Sequence, residues 1–265
     1  MGERQIDLAR GPLDPGALQD ADALALDGVA VGPDALAAAI EALREVRGLK
    51  SLRLRSRVRA LPAALTELRG LQRLELVDRE LPGLPTAIGE LSRLRGLRLE
   101  LFHLASLPRS VSSLTHLREL DIDSHHLCGL PDGVRELQEL RALTLRLRHV
   151  YVHDWERPAH VRPRFTQSLE ALFELLAGLP ALASLTLGEP DNAGYEERVL
   201  DRLPAGLGGL QALESLTVAQ VAHRVGLPHG VVLPAVRRVV GTGCLDATEA
   251  ELRAMFPNAA LSHGS

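Results

Sequence analysis

A motif of 23 residues occurs three times in succession between residues 71 and 139. Each copy opens with the pattern L-x-x-L-x-L and closes with L-P-x-x-(I/V)-x-x-L, and the copies begin at Leu71, Leu94 and Leu117. The last two leucines of the opening lie two residues apart, so in a β-strand they share one face and the residue between them lies on the other. A single unit of this size cannot bury its own leucines, whereas about three stacked units enclose a continuous core. The repeat therefore predicts an elongated solenoid.

The strand pattern continues on both sides of the three copies. The L-x-x-L-x-L frame, or a close variant of it, predicts strands centred at Leu24, Leu52, Leu74, Leu97, Leu120, Leu143, Leu185, Leu216 and Val239. The strand at Leu185 follows its predecessor by 42 residues, and the next strand comes 31 residues later. This spacing predicts insertions at residues 150–166 and 188–202. Helical spacing predicts a helix at 35–46 with Asp34 as its N-cap, a second helix at 167–177 and a closing helix at 246–256.

These elements predict one domain that spans residues 1–265. Residues 1–23, with a short strand at 5–8, would form an N-terminal cap. Residues 24–245 would hold about nine repeats, and residues 246–265 a C-terminal cap. Caps are expected because the outermost leucines of a solenoid need shielding from water.

The L-x-x-L-x-L frames and Leu-Pro steps over roughly residues 20–245 resemble the leucine-rich-repeat superfamily, and most of all its 23-residue class. The resemblance implies an α/β fold, a right-handed horseshoe or arc. A parallel β-sheet would form the concave face, and helices, 3-10 turns and loops the convex face. The family binds proteins, peptides, lipids and glycans with one scaffold, so the resemblance implies surface recognition without naming a ligand.

One family feature is missing from this sequence. Members of the superfamily usually carry an asparagine after the strand, where its side chain bonds the backbone of the turn. Here that place holds Arg57, Arg79, Phe102, His125 and Arg148. We therefore expect these turns to satisfy their backbone groups in another way, or to be looser.

Residues between the strand leucines would lie side by side on the concave face. They form two columns, with Arg53, Glu75, Arg98 and Asp121 in the first and Arg55, Glu100, Asp123 and Arg146 in the second. One interpretation is a ladder of ion pairs, each worth about 0.2–1 kcal/mol. The other is a docking surface of mixed charge for a protein partner, and the two are compatible. A nucleic-acid groove is not expected, because each arginine has an acidic neighbour and the net charge is only −4.

The insertion at 150–166 is a second candidate binding element. It contains Tyr151, Trp155, Arg157 and Phe165, and three of the seven aromatic residues of the chain lie in it. Long loops in compact proteins are often functional, and Trp, Tyr and Arg dominate binding hot spots. The alternative is that Trp155 folds back to cover the irregular repeat.

Three histidines, His103, His126 and His149, recur at intervals of 23 residues. Stacked side chains about 5 Å apart can share a metal ion. However, three ligands in a straight line fit tetrahedral coordination poorly, so a solvated or stacked column is the favoured interpretation. We therefore predict no metal and no other cofactor.

The remaining features favour a binding protein over an enzyme. The sequence has no G-x-S-x-G, phosphate-loop or HExxH motif and no cysteine pair at ligand spacing. It also has no apolar leader near its start and no apolar run of 18 residues, so we expect a cytoplasmic protein that does not enter membranes. The leading hypothesis is a scaffold that recognises a protein partner by the concave face and the 150–166 loop. A secreted bacterial effector or toxin-associated protein that acts on a protein of a host or rival cell is the alternative hypothesis. A metal-dependent activity at the histidine column is the least favoured one.

Overall fold

The computed structural model describes residues 3–147, 167–188, 202–219 and 224–262. Within these residues, eleven strands form one sheet in which every neighbouring pair is parallel and follows chain order. The strands are β1 (Arg4–Asp7), β2 (Ala23–Asp27), β3 (Ser51–Ser56), β4 (Arg73–Asp78), β5 (Gly96–Leu101), β6 (Glu119–Ser124), β7 (Ala142–Leu147), β8 (Ser184–Gly188), β9 (Ser215–Ala219), β11 (Arg238–Val240) and β13 (Ala260–Ser262). Two short strands, β10 (Val225–Gly226) and β12 (Leu245–Asp246), pair separately.

All nine strands predicted from the leucine frame are present, and β1 overlaps the predicted capping strand. Strand β13 was not predicted, because its three residues carry no L-x-x-L frame. It follows the closing helix and pairs with β11, so the sheet extends one strand further than expected.

The connections on the other side of the solenoid are short helices and 3-10 turns. The α-helices are α1 (Pro33–Ala42), α2 (Ala64–Glu67), α3 (Leu169–Leu176) and α4 (Glu249–Met255). The 3-10 turns at Thr86–Glu90, Arg109–Ser113, Asp132–Glu136 and Ala205–Gly209 each begin directly after a proline. Proline fixes φ and lacks an N–H, which suits the residue that precedes such a turn. The prediction of Asp34 as an N-cap was wrong, since Gly32 is the cap and Asp34 lies in the first turn.

The core is a set of leucine rows that run along the solenoid. Leu74, Leu97 and Leu120 are register partners in adjacent strands and are at most 2% exposed. Full burial of one such side chain contributes about 1.5–3 kcal/mol. The buried cluster continues from Leu8 to Phe256. Each repeat therefore completes the burial of its neighbours, as the spacing predicted.

Two of the turns without asparagine, those that follow β3 and β4, are held by a buried aspartate. Asp78, the last residue of β4, is 2% exposed. Its carboxylate accepts hydrogen bonds from the hydroxyl of Ser56 and from the backbone N–H groups of Val58, Glu80 and Leu81. One carboxylate thus satisfies donors in two successive turns, so in these two turns the backbone groups are bonded by an aspartate in place of the usual asparagine.

Candidate functional site

The first concave column lies in register across four strands. Arg53, Glu75, Arg98 and Asp121 are successive lateral partners in β3 to β6. The distance from Arg53 Nε to Glu75 Oε1 is 3.2 Å, and Arg98 Nε lies 3.8 Å from that oxygen and 3.7 Å from Asp121 Oδ2. Arg98 is therefore placed between two carboxylates. The column ends in uncharged residues, because Thr144 is the next partner of Asp121.

The second concave column is less evenly paired. Glu100 and Asp123 are lateral partners in β5 and β6, so two acidic residues lie side by side. Arg146 in β7 partly balances them. Its Nη1 lies 3.1 Å from Asp121 Oδ1 and 3.9 Å from Asp123 Oδ2. This arginine joins the two columns into one network.

At the other end of the network, Arg55 extends the charged surface toward the N-terminus. Its Nη1 donates to Asp27 Oδ2 at 3.0 Å, a partner that the column analysis did not include. A concave cavity of about 780 Å³ lies here, lined in part by Arg10, Asp27, Arg53 and Arg55. The charged surface therefore runs from β1 to β7.

Three side chains in the network are held at an energetic cost. Burial is the largest influence on the pKa of Asp121 and raises it, and the nearby carboxylates of Asp123 and Glu75 raise it further. Together these effects outweigh the Arg146 and Arg98 guanidinium groups, which lower it. Arg53 Nε and Glu75 Oε1 form an ion pair without the alignment of a hydrogen bond, and among the described residues neither buried atom has a hydrogen-bond partner. Such groups are unusual in folded proteins and call for an explanation.

The histidine column is an aromatic cluster. The ring centroids of His103 and His126 lie 4.9 Å apart in an edge-on arrangement. Phe102 stacks on His125 at 4.1 Å and meets His103 edge-on at 4.8 Å. The described residues contain no group of three or more His, Cys, Asp or Glu side chains arranged to hold a metal ion. His149 lies outside the described residues.

The predicted insertions lie largely outside the described part of the chain. This applies to Tyr151, Trp155, Arg157 and Phe165, and to residues 189–201 of the second insertion. None of the helices in the ranges that the structure describes is long and apolar enough to span a membrane.

Sequence reasoning did not identify the charged residues at the edge where the strands begin. Arg73 Nη2 lies 3.0 Å from Glu119 Oε2, although the two residues are two strands apart. Gly96 stands between them in the register and leaves room for the arginine to cross. At the same edge, Arg118 and His116 both bond the carboxylate of Glu139. Charged residues at the first position of each strand and in the few residues before it are the sequence signal for this second charged surface.

Several solved structures are similar to this chain in fold. The match to a chain of the Toll–Spatzle complex of Drosophila has a TM-score of 0.60 at 15% identity and covers 89% of this chain, which spans only 29% of that one. A leucine-rich-repeat protein of Leptospira interrogans matches at 18% identity and a TM-score of 0.49, over 98% of this chain and 77% of that chain. The leucine-rich repeat domain of the type III effector XopL matches at 21% identity and a TM-score of 0.49, over 81% and 74%.

Sequence comparison gave a match to a family model. No curated protein sequence matches this chain significantly. A family model described as a leucine-rich repeat region matches residues 24–187, which is more than half of the chain. The matched range covers the strands from β2 to β8 with their continuous leucine rows. This chain belongs to the leucine-rich-repeat family.

Proposed function

We propose that this protein is a non-enzymatic scaffold that recognises a protein partner through the concave face of its sheet. The family supports a role in protein interaction in general. The observation that carries the proposal is the charge network of Arg53, Glu75, Arg98, Asp121 and Arg146, hereafter the concave network. These side chains point away from the leucine core, so the fold does not require them.

The energetics of the network favour binding over a purely stabilising role. Exposed ion pairs contribute only about 0–1 kcal/mol each to folding. Asp121 is kept ionisable although burial disfavours its charge, and Arg53 with Glu75 leaves polar atoms without hydrogen bonds. A partner that supplies donors and acceptors to these groups would remove that cost. Proteins commonly keep such unfavourable groups where they bind.

The surface also indicates the kind of partner. Val29 and Val232 are the exposed large hydrophobic residues of the described ranges, so the concave face is not an apolar patch. Charges of both signs alternate along it. Such a surface selects a partner of complementary charge pattern and makes association depend on ionic strength.

The 150–166 loop is included in the proposal on sequence grounds. Its aromatic and arginine residues, Tyr151, Trp155, Arg157 and Phe165, are of the types that dominate hot spots. The double substitution Tyr151→Ala with Trp155→Ala should weaken the complex while the protein stays folded. An unchanged affinity would remove the loop from the site.

The concave face is tested by comparing two matched double variants in a capture experiment. Arg98→Gln with Arg146→Gln removes two charges from the concave network. Arg109→Gln with Arg135→Gln removes two exposed charges from the 3-10 turns on the opposite side. Proteins captured from the cells that express this chain would be quantified by mass spectrometry. A partner that is lost with the first variant and kept with the second supports the proposal, whereas equal recovery contradicts it.

A further inference from the structure

A small basic cleft lies at the edge of the sheet where the strands begin, away from the concave network. Its lining residues are Gln72, Arg93, Arg95, His116 and Arg118, and its volume is about 340 Å³. No acidic side chain is among these residues. We call this feature the basic cleft.

The next repeat shows what such a set of side chains can hold. The carboxylate of Glu139 accepts hydrogen bonds of 3.0 Å from both Nε and Nη2 of Arg118 at one oxygen, and His116 Nδ1 lies 2.9 Å from the other oxygen. The interaction lowers the pKa of Glu139, first through His116 and then through Arg118. One imidazole and one guanidinium therefore hold a carboxylate that the chain itself supplies.

The 23-residue period places the same arrangement one repeat earlier, without the carboxylate. Arg93 and Arg95 occupy the positions of His116 and Arg118, and His116 occupies the position of Glu139. A histidine cannot supply the negative oxygen that Glu139 supplies. Among the described residues, neither Arg93 nor Arg95 makes a side-chain hydrogen bond or ion pair, and both are exposed.

The carboxylates of the surrounding positions are already engaged. Glu119, beside Arg118 in the chain, pairs with Arg73 at 3.0 Å. Glu90 pairs with Arg69 at 2.7 Å. The basic cleft therefore retains two guanidinium groups that no described carboxylate compensates.

We propose that the basic cleft binds a carboxylate side chain from an acidic segment of a protein partner, with Arg93 and Arg95 as the donors. Guanidinium groups match the planar geometry of a carboxylate and form charge-assisted hydrogen bonds with it. The cleft is too small to follow a nucleic-acid backbone, and the net charge of −4 opposes a polyanion over the rest of the surface. This inference does not depend on the concave face being a binding site.

The test uses the full chain and a fluorescently labelled oligoglutamate peptide, titrated by anisotropy at low ionic strength. Arg93→Gln with Arg95→Gln should weaken peptide binding about tenfold or more, as expected for loss of charge-assisted hydrogen bonds. Arg109→Gln, which removes another exposed charge, from a 3-10 turn, should leave the affinity within about twofold of wild type. An oligoglutamine peptide should not bind.

A second variant copies the internal arrangement into the cleft. His116→Glu places a carboxylate where Glu139 stands one repeat later, and it should block the oligoglutamate peptide because the cleft then holds its own carboxylate. Thr115→Glu adds the same charge at the adjacent exposed position and should have a clearly smaller effect. Thermal unfolding of each variant would confirm that it is folded.

Three results would overturn the proposal. The first is that oligoglutamate does not bind the wild-type protein, or that it binds the variant Arg93→Gln with Arg95→Gln as tightly as wild type. The second is a phosphoserine peptide that binds through Arg93 and Arg95 where oligoglutamate does not, which would make this a phosphate site. The third is that single-stranded RNA binds through the cleft and oligoglutamate does not, which would make the cleft a nucleic-acid site.

Discussion

The hydroxyl of Ser56 donates a hydrogen bond of 2.7 Å to the buried carboxylate of Asp78, its register partner in the next strand. This bond links two repeats below the surface of the sheet. The same carboxylate accepts three backbone N–H groups in the turns. Asp78 therefore takes over a task that the family usually gives to an asparagine one residue later.

Replacement of Asp78 should be costly. Asp78→Ala leaves several donors without an acceptor, three of them backbone groups, and each buried unpaired group costs about 1–3 kcal/mol. We expect the free energy of unfolding to fall by about 3 kcal/mol or more. Asp78→Asn, which keeps one carbonyl oxygen, should cost less. Urea unfolding at neutral pH measures both values, and a loss of under about 1 kcal/mol for Asp78→Ala would show that water replaces the carboxylate.

Substitution of two glycines with positive φ can distinguish the cost of backbone strain from the cost of steric overlap. Gly230 has φ of 73° and open space around it, whereas a Cβ on Gly241, with φ of 84°, would lie 1.7 Å from the carbonyl oxygen of Val218. Gly230→Ala should cost about 1 kcal/mol, the strain of a left-handed residue. Gly241→Ala should cost several kcal/mol, because β9 or the turn must also move. Equal losses in chemical unfolding would mean that the turn at Gly241 adjusts freely.

The ionised carboxylate of Asp121 should lower the stability of the folded protein at neutral pH. Burial raises its pKa above the ordinary 3.8. A raised pKa means that the folded state favours the protonated acid, so this stabilisation is present below pH 3.8 and is lost as the pH rises through the raised value. At pH 7, Asp121→Asn should therefore unfold at the same temperature as wild type or higher.

The pH dependence provides the control for this prediction. At a pH below 3.8 the wild-type acid is also neutral, so the difference in melting temperature between Asp121→Asn and wild type should approach zero. A variant that melts well below wild type at neutral pH would show that Arg98 and Arg146 stabilise the ionised acid more than burial opposes it.

Glu139 should show the opposite pH dependence. Its pKa is lowered below the ordinary 4.5 by hydrogen bonds from His116 and then Arg118. The stabilisation is therefore complete above pH 4.5 and disappears as the pH falls through the lowered value. Glu139→Gln should melt below wild type at neutral pH and at a similar temperature in strong acid. A melting difference that persists in acid would indicate that the glutamate acts through packing instead.

The sequence predicts the solenoid well because a single physical requirement recurs in every repeat. Leu74, Leu97 and Leu120 can be buried only by one another, so their spacing determines the strand register. The lateral order of Arg53, Glu75 and the residues after them follows directly from that register. Strand β13 escaped prediction because Ala260–Ser262 is too short and too weakly apolar to form a pattern.

The polar features were harder to predict because they depend on distances between repeats. Asp78 lies at an inward-facing strand position, which in β5 is held by Leu101. A polar residue at such a position is a sequence signal for a buried hydrogen bond. To predict the basic cleft from the sequence, His116 must be compared with Glu139 one period later. That no described carboxylate occupies the cleft is known only from the positions of the side chains. Residues 150–166 have no periodicity that would fix their arrangement.

Recognition by the concave face is the central claim, and the dissociation constant of the captured partner tests it most directly. It would be measured for wild type, for Arg98→Gln with Arg146→Gln, and for Arg109→Gln with Arg135→Gln. We predict that Arg98→Gln with Arg146→Gln binds the partner at least about tenfold more weakly than wild type, as for hot-spot residues. The affinity of Arg109→Gln with Arg135→Gln should stay within about twofold of wild type. Equal affinities for the two variants would contradict recognition by the concave face.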